Sequence, residues 1–145
     1  MKAVVQRVLE ANLKVEGQLI SEIKKGLVVF LGVKKGDEKE NADFFVKKLP
    51  SLRIFEDEGG KINKSLQDVG GEILLVSQFT LYANASHGNR PDFLEAERPE
   101  KANELYEYTA TELEKKGVIV KRGVFGADMK ISQVNDGPFT IILEK

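Results

Sequence analysis

Three side chains that form hydrogen bonds stand directly after an apolar run in the middle of the chain. The run extends from Ile73 to Val76, and the polar residues are Ser77, Gln78 and Thr80. A continuous apolar run of this length predicts a strand covered on both faces of a sheet, and binding sites are often built at strand ends. The alternative is that Ser77 and Thr80 are satisfied sheet residues while Gln78 faces solvent. These residues alone leave both interpretations open.

The residue types that carry most covalent and metal chemistry are scarce. Cysteine is absent and His87 is the one histidine, which excludes thiol catalysis and a zinc site of histidine and cysteine ligands. His87 lies in a glycine-containing loop, so we interpret it as an exposed structural residue rather than a triad member. The carboxylates at 56–58 lack the spacing of a calcium loop and predict a solvated turn. No phosphate-binding glycine motif occurs, and we expect neither a metal nor a cofactor.

A second candidate segment is Asn135 to Thr140, which places Gly137-Pro138 between two predicted strands. One interpretation is a plain β-turn. The other is a cis Gly-Pro peptide, which turns its flanking carbonyls to one side with no side chain in the way. Such a carbonyl pair would form a rigid clamp that accepts hydrogen bonds.

Composition limits the class of protein. A chain of 145 residues with 41% hydrophobic and 31% charged residues fits one globular domain, residues 1–145, and no apolar run reaches the length of a membrane span. Arg7 precedes any signal-peptide apolar region and cysteine is absent, so we expect a cytoplasmic protein. A net charge of -1 argues against a general DNA or RNA binder.

Hydrophobic periodicity predicts the elements that position these residues. Alternation from Ala3 to Val15 indicates a long half-buried strand with Arg7 as the one intruder on its apolar face. A first helix is expected after Asp37 as its N-cap, and a second from Pro99 to a cap at Gly117. Further strands are expected at 19–23, 26–33, 52–55, 73–76, 118–122, 130–135 and 139–143. The fold class is therefore mixed α/β of α+β character, with curled β-sheets and helices on one side.

The chain resembles the D-aminoacyl-tRNA deacylases, also called D-tyrosyl-tRNA deacylases, along its whole length. The segments that carry this resemblance are Met1–Val8, Arg53–Phe55, Ser77–Leu81, Gly88–Pro91, Gly126–Met129 and Asn135–Thr140. Gln133 and Phe139 depart from it, because smaller or aliphatic residues are expected there, which affects strand packing more than chemistry. The resemblance implies the deacylase fold and a substrate that is the aminoacylated 3' end of tRNA, with no DNA and no membrane as partner.

The resemblance further implies a homodimer with two active sites at the subunit interface. The Gly137-Pro138 bond would be cis and would enter the partner's pocket, where the two carbonyls bind the substrate's amino group and crowd out an L side chain. D-amino acids would be accepted, and glycine, lacking a Cβ, could not be rejected sterically. We expect Arg7 to order this clamp.

By the same resemblance, four residues after the predicted strand 73–76 would line the pocket: Ser77, Gln78, Phe79 and Thr80. The resemblance makes Gly137, Pro138, Phe79 and Thr80 the catalytic set, with a backbone N–H near Phe79 stabilising the oxyanion. Thr80 is either a nucleophile or a structural residue, and we favour attack by water assisted by the 2'-hydroxyl of the terminal adenosine.

The resemblance also implies that Ala102, Phe125 and Met129 hold the terminal adenosine. Phe125 and Met129 could equally be core side chains.

The leading hypothesis is thus a deacylase that cleaves the ester between a D-amino acid and the 3' end of tRNA. Two other functions compete with it. One is a non-catalytic binder of tRNA ends. Its phosphate contacts would be Lys34, Lys35, Lys47, Lys48, Lys115, Lys116, Lys121 and Arg122. The other is a deacylase of different acyl specificity, acting on L-amino acids or chiefly on glycine.

Overall fold

Strands and helices follow one another along the chain without a regular alternation. The computed structural model describes residues 1–145. Its elements are β1 (Lys2–Val15), β2 (Gln18–Ile23), β3 (Gly26–Gly32), α1 (Lys39–Ser51), β4 (Arg53–Glu56), β5 (Ile62–Ser65), β6 (Glu72–Ser77), a 3-10 helix (Phe79–Tyr82), α2 (Pro99–Lys115), β7 (Ile119–Arg122) and β8 (Met129–Glu144). Neither α-helix is long and apolar enough to cross a membrane.

β1 organises the main sheet because it pairs along both of its edges. One edge pairs with β8, and the other pairs with β3 along its first half and with β2 along its second half, all antiparallel. The sheet continues through parallel pairs from β3 to β6 and from β6 to β7. The Ser21 hydroxyl of β2 donates a hydrogen bond of 2.6 Å to the carbonyl of Arg122 on β7, so the sheet curls until its ends nearly meet.

Two clusters of buried side chains cover the two faces of this sheet. The larger cluster joins residues of both helices, such as Phe45 and Tyr106, to strand residues such as Leu75. The smaller cluster contains strand residues alone, including Leu13 and Leu74. The helices therefore lie on one side of a curled sheet, which confirms the predicted fold class.

The last strand differs from the prediction. Asn135 pairs with Val8 and Thr140 pairs with Gln6, so residues 136–139 bulge out opposite the single residue Arg7. The predicted strands 130–135 and 139–143 are the two halves of β8, and the interpretation of this segment as a plain β-turn is wrong. Both flanks pair with β1, so the chain does not reverse its direction.

Two local predictions also need correction. The N-cap of α1 is Glu38 rather than Asp37, and the Glu38 N–H donates to the Asn41 side chain at 2.9 Å. The Asp37 carboxylate instead lies 2.7 Å from the amino group of Met1, and it accepts a 2.6 Å hydrogen bond from the Lys34 N–H. The short strand β5 was not predicted, because its polar sequence has no apolar alternation.

Candidate active site

A cavity of about 620 Å³ lies where the end of β6 meets the start of α2 and the segment before β8. Six of the predicted site residues line it: Ser77, Gln78, Phe79, Ala102, Phe125 and Met129. Its wall also includes Val33, Phe93, Ala96, Glu97, Pro99 and Asp128. Residues that the resemblance assigned to substrate binding, together with Phe79 from the catalytic set, are therefore neighbours in space, although they are far apart in sequence.

The floor of the cavity is formed where β6 turns into the 3-10 helix. The Gln78 N–H donates to the Leu31 carbonyl at 2.9 Å, which holds the strand end against β3. A Cβ at Gly32 would lie 3.0 Å from the Gln78 carbonyl oxygen and 3.2 Å from the Leu81 Cβ. The close approach of these two segments therefore favours glycine at this position.

Thr80 is exposed and does not line the cavity. Its hydroxyl accepts a hydrogen bond of 2.6 Å from the side-chain amide of Gln78. An amide N–H is a donor and cannot take a proton from the hydroxyl, so this contact orients Thr80 without activating it.

Phe79 stands at the rim of the cavity with 55% of its surface exposed. Its ring packs edge-on against Phe93, with ring centroids 5.0 Å apart. The sequence analysis missed Phe93 and the other wall residues at 93–97, because that irregular segment carries no periodic pattern.

The opposite wall comes from α2 and from the chain that leads into β8. Ala102 lies near the start of α2, and its small side chain leaves room in the cavity. Phe125 packs against Tyr106, and Met129 packs against the strand-only core cluster. Phe125 and Met129 thus take part both in the cavity wall and in core packing, the two roles that the sequence left open.

Two carboxylates lie in this wall, Glu97 and Asp128. Hydrogen bonds from the backbone N–H groups of Arg98 and Gly36 hold the pKa of Glu97 below its ordinary value, although partial burial opposes this effect. Asp128 pairs with Lys130 at 2.9 Å. Both carboxylates are therefore engaged in local contacts, and the pair of Asp128 with Lys130 is exposed.

Gly137 and Pro138 are absent from this cavity wall. They lie in the bulge of β8, and the peptide bond between them is cis. Gly137 has a φ of +125°, and a Cβ there would lie 2.9 Å from the Phe139 backbone nitrogen, so the position favours glycine.

Arg7 ties the bulge to the body of the protein. Its Nε lies 3.0 Å from the Asp136 carboxylate and donates to the Asp136 carbonyl at 3.2 Å. Its Nη1 donates to the Ile54 carbonyl at 2.6 Å, and the guanidinium lies 5.1 Å from the centroid of the Phe139 ring. Arg7, the buried arginine on the apolar face of β1, therefore connects the bulge of β8 to β4.

A second cavity of about 740 Å³ lies elsewhere on the curled sheet. It is open and mostly polar, and its wall includes Glu10, Glu22, Lys24, Glu72 and Lys121. Of the residues predicted to contact a substrate or tRNA it contains Lys121 alone, which belongs to the tRNA-binding alternative, so we place the candidate active site in the cavity at the end of β6.

The chain is similar to known proteins along almost its whole length. Residues 4–144 match the family described as D-Tyr-tRNA(Tyr) deacylase. The chain is 54% identical to the D-aminoacyl-tRNA deacylase of Geotalea daltonii, covering 99% of this chain and 96% of that protein. It is also 54% identical to the D-aminoacyl-tRNA deacylase of Syntrophomonas wolfei, covering 99% of this chain and 97% of the relative.

Two solved structures have a similar fold. One is the c-Myc DNA Unwinding Element Binding Protein, with a TM-score of 0.94 and 44% identity over 100% of this chain and 99% of that one. The other is a probable eukaryotic D-amino acid tRNA deacylase, with a TM-score of 0.85 over 99% of this chain and 98% of that one. The identity to the second is 18%, so that likeness concerns the fold alone.

Proposed function

The chain belongs to the D-Tyr-tRNA(Tyr) deacylase family, and from this premise we propose that it is a hydrolase that cleaves the ester bond of D-aminoacyl-tRNA. Free tRNA and a D-amino acid are the products. The observation that carries the proposal is that six residues assigned by the family resemblance line one cavity. A cytoplasmic location fits a substrate that takes part in translation, and no cofactor is required.

The cavity accommodates the terminal adenosine of the tRNA in this proposal. Ala102, Phe125 and Met129 hold the nucleoside on one side, and the ester carbonyl lies at the other side near Ser77 and Phe79. The backbone N–H near Phe79 stabilises the negative charge that develops on the carbonyl oxygen. Backbone donors suit this role because they are already oriented and cost little reorganisation during the reaction.

Water is the attacking group, assisted by the 2'-hydroxyl of the adenosine. The Thr80 hydroxyl contacts the amide of Gln78, which cannot serve as a base, and this supports an orienting role for Thr80.

The clamp comes from a second copy of the chain. Gly137 and Pro138 do not line the cavity of their own chain, and they lie in a bulge held in place by Arg7. In the homodimer, the bulge enters the neighbour's cavity and its two carbonyls accept hydrogen bonds from the amino group of the substrate.

In this arrangement the clamp distinguishes D- from L-aminoacyl esters by steric exclusion. An L side chain would meet the clamp, whereas a D side chain points away from it toward solvent. Glycine has no Cβ for the clamp to reject, so hydrolysis of mischarged glycyl-tRNA is an expected secondary activity.

The first prediction concerns the substrate. Purified protein incubated with D-tyrosyl-tRNA, L-tyrosyl-tRNA and glycyl-tRNA should hydrolyse the D ester on the order of 100-fold or more faster than the L ester. An Ala102→Phe variant, which fills the cavity from the α2 side, should lose the reaction while keeping its fold.

Other outcomes of this assay identify the competing functions. Comparable loss of the D and L esters contradicts the chiral filter. Tight binding of tRNA without turnover indicates a non-catalytic binder, and faster hydrolysis of glycyl than of D-tyrosyl ester indicates a different acyl specificity.

A further inference from the structure

The backbone carbonyl of Leu75 accepts two hydrogen bonds at the base of the candidate active site. One comes from the Gly123 N–H at 2.9 Å, and the other comes from the buried hydroxyl of Tyr106 at 2.8 Å. A carbonyl oxygen has two lone pairs, so both acceptor positions of Leu75 are used. Three separate segments of the chain therefore meet at one atom.

Each of these segments leads into a wall of the cavity. Leu75 comes two residues before Ser77 on β6, and Gly123 comes two residues before Phe125. Tyr106 follows Ala102 by one helical turn, so the two side chains share a face of α2. The hydroxyl of Tyr106 thus fixes the separation between α2 and the end of β6.

The ring of Tyr106 also supports the third wall. Its centroid lies 6.1 Å from that of Phe125, with the ring planes inclined by 55°. The side chain is 1% exposed, so it is a packed contact rather than a surface one. The hydroxyl of a tyrosine is protonated at neutral pH and can donate, and burial raises the pKa of Tyr106 further.

We propose that Tyr106 is a positioning residue that sets the width of the adenosine site by holding α2 and the Phe125 segment against the end of β6. It does not contact the substrate, since it lies behind the wall rather than in it. The inference rests on the proposed function, which places a nucleoside in this cavity.

Tyr82 provides a matched control within the same chain. It is also a buried tyrosine, at 4% exposure, but its hydroxyl has no hydrogen-bond partner. Removing that hydroxyl breaks no hydrogen bond, whereas removing the hydroxyl of Tyr106 leaves the Leu75 carbonyl with one donor in place of two. The two Tyr→Phe variants therefore separate positioning from general packing.

The test compares wild type, Tyr106→Phe and Tyr82→Phe in steady-state hydrolysis of D-tyrosyl-tRNA and in calorimetric binding of adenosine 5'-monophosphate. We expect Tyr106→Phe to raise KM and the Kd for the nucleotide by roughly 3- to 10-fold, while kcat changes less than about twofold. Tyr82→Phe should match wild type in all three quantities. Circular dichroism melts verify that each variant is folded at the assay temperature.

The inference is overturned if Tyr106→Phe keeps the wild-type KM and Kd, or if Tyr82→Phe shows the same change as Tyr106→Phe. A wild-type protein that binds the nucleotide but hydrolyses no D ester contradicts the proposed function alone, and the Kd comparison still tests Tyr106. A wild-type protein that neither binds nor hydrolyses contradicts both.

Discussion

The side chains around the candidate active site contain no strong nucleophile in an activated state. The Thr80 hydroxyl accepts from the Gln78 amide at 2.6 Å, and the carboxylates of Glu97 and Asp128 are held by local partners. Catalysis in the proposed function therefore depends on backbone groups and on the substrate's own hydroxyl, which side-chain substitution does not remove.

The role of Thr80 can be tested by removing its hydroxyl. We expect Thr80→Ala to retain activity within about tenfold of wild type, because loss of a true nucleophile costs about 10⁴-fold or more. The measurement is single-turnover hydrolysis of D-tyrosyl-tRNA, with Thr80→Ser as the control that keeps the hydroxyl. A loss of more than about 10³-fold in a folded Thr80→Ala protein, restored in Thr80→Ser, would establish Thr80 as the nucleophile.

Among the helices and strands, those whose position depends on local sequence were predicted correctly. Alternation in β1, the apolar runs of β3 and β6, and Pro99 at the start of α2 follow from periodicity and backbone preference. The bulge at 136–139 was not predicted from local sequence, because its geometry depends on pairing with β1, more than a hundred residues away in sequence. The wall residues at 93–97 were missed for a related reason, since β-bridges and hydrogen bonds to other segments fix an irregular stretch that has no pattern of its own.

The contact between α2 and β7 predicts a dependence of stability on pH. The Nη1 and Nη2 atoms of Arg122 donate to the two oxygens of Glu114 at 2.6 and 2.9 Å, and this contact lowers the pKa of Glu114 from 4.5. A carboxylate whose pKa is lower in the folded state stabilises the protein above its unfolded pKa, and the contribution is lost as pH falls through the lowered value. Since the pair is partly exposed, it contributes about 0.5 to 1 kcal/mol at neutral pH.

Urea unfolding checks this contribution. We expect Glu114→Gln to lower the free energy of unfolding at pH 7 by that amount, and we expect the difference from wild type to shrink as pH is lowered below 4.5. Glu112→Gln is the matched control on the same helix, because Glu112 pairs with an exposed lysine three residues away. A difference between Glu114→Gln and wild type that stays constant with pH would contradict the assignment.

At the scale of the whole molecule, the proposed machinery is divided between two surfaces of one chain. The cavity and the bulge of β8 are separate, and the proposed function joins them across a dimer interface. In the proposed function, this division makes dimer assembly a requirement for chiral selection.

Solution scattering tests this assembly. At the concentration used for the assay, the scattering mass should be twice the 16.2 kDa of one chain. Hydrolysis per chain should fall when the protein is diluted below the dissociation constant of the dimer, because each cavity then lacks the neighbour's clamp. A monomer with full and selective activity would remove the cross-subunit site from the proposal.

The bulge in β8 has a further consequence for how this chain tolerates change. Main-chain hydrogen bonds to β1 pin the strand on both sides of residues 136–139, so the register of each half is fixed independently of what lies between them. Adding or removing residues in this segment would change how far the bulge extends from the sheet. The pairing of the two halves of β8 with β1 would stay in register. Insertions, deletions or substitutions at 136–139 would therefore change this segment while the pairing of β8 with β1 is kept.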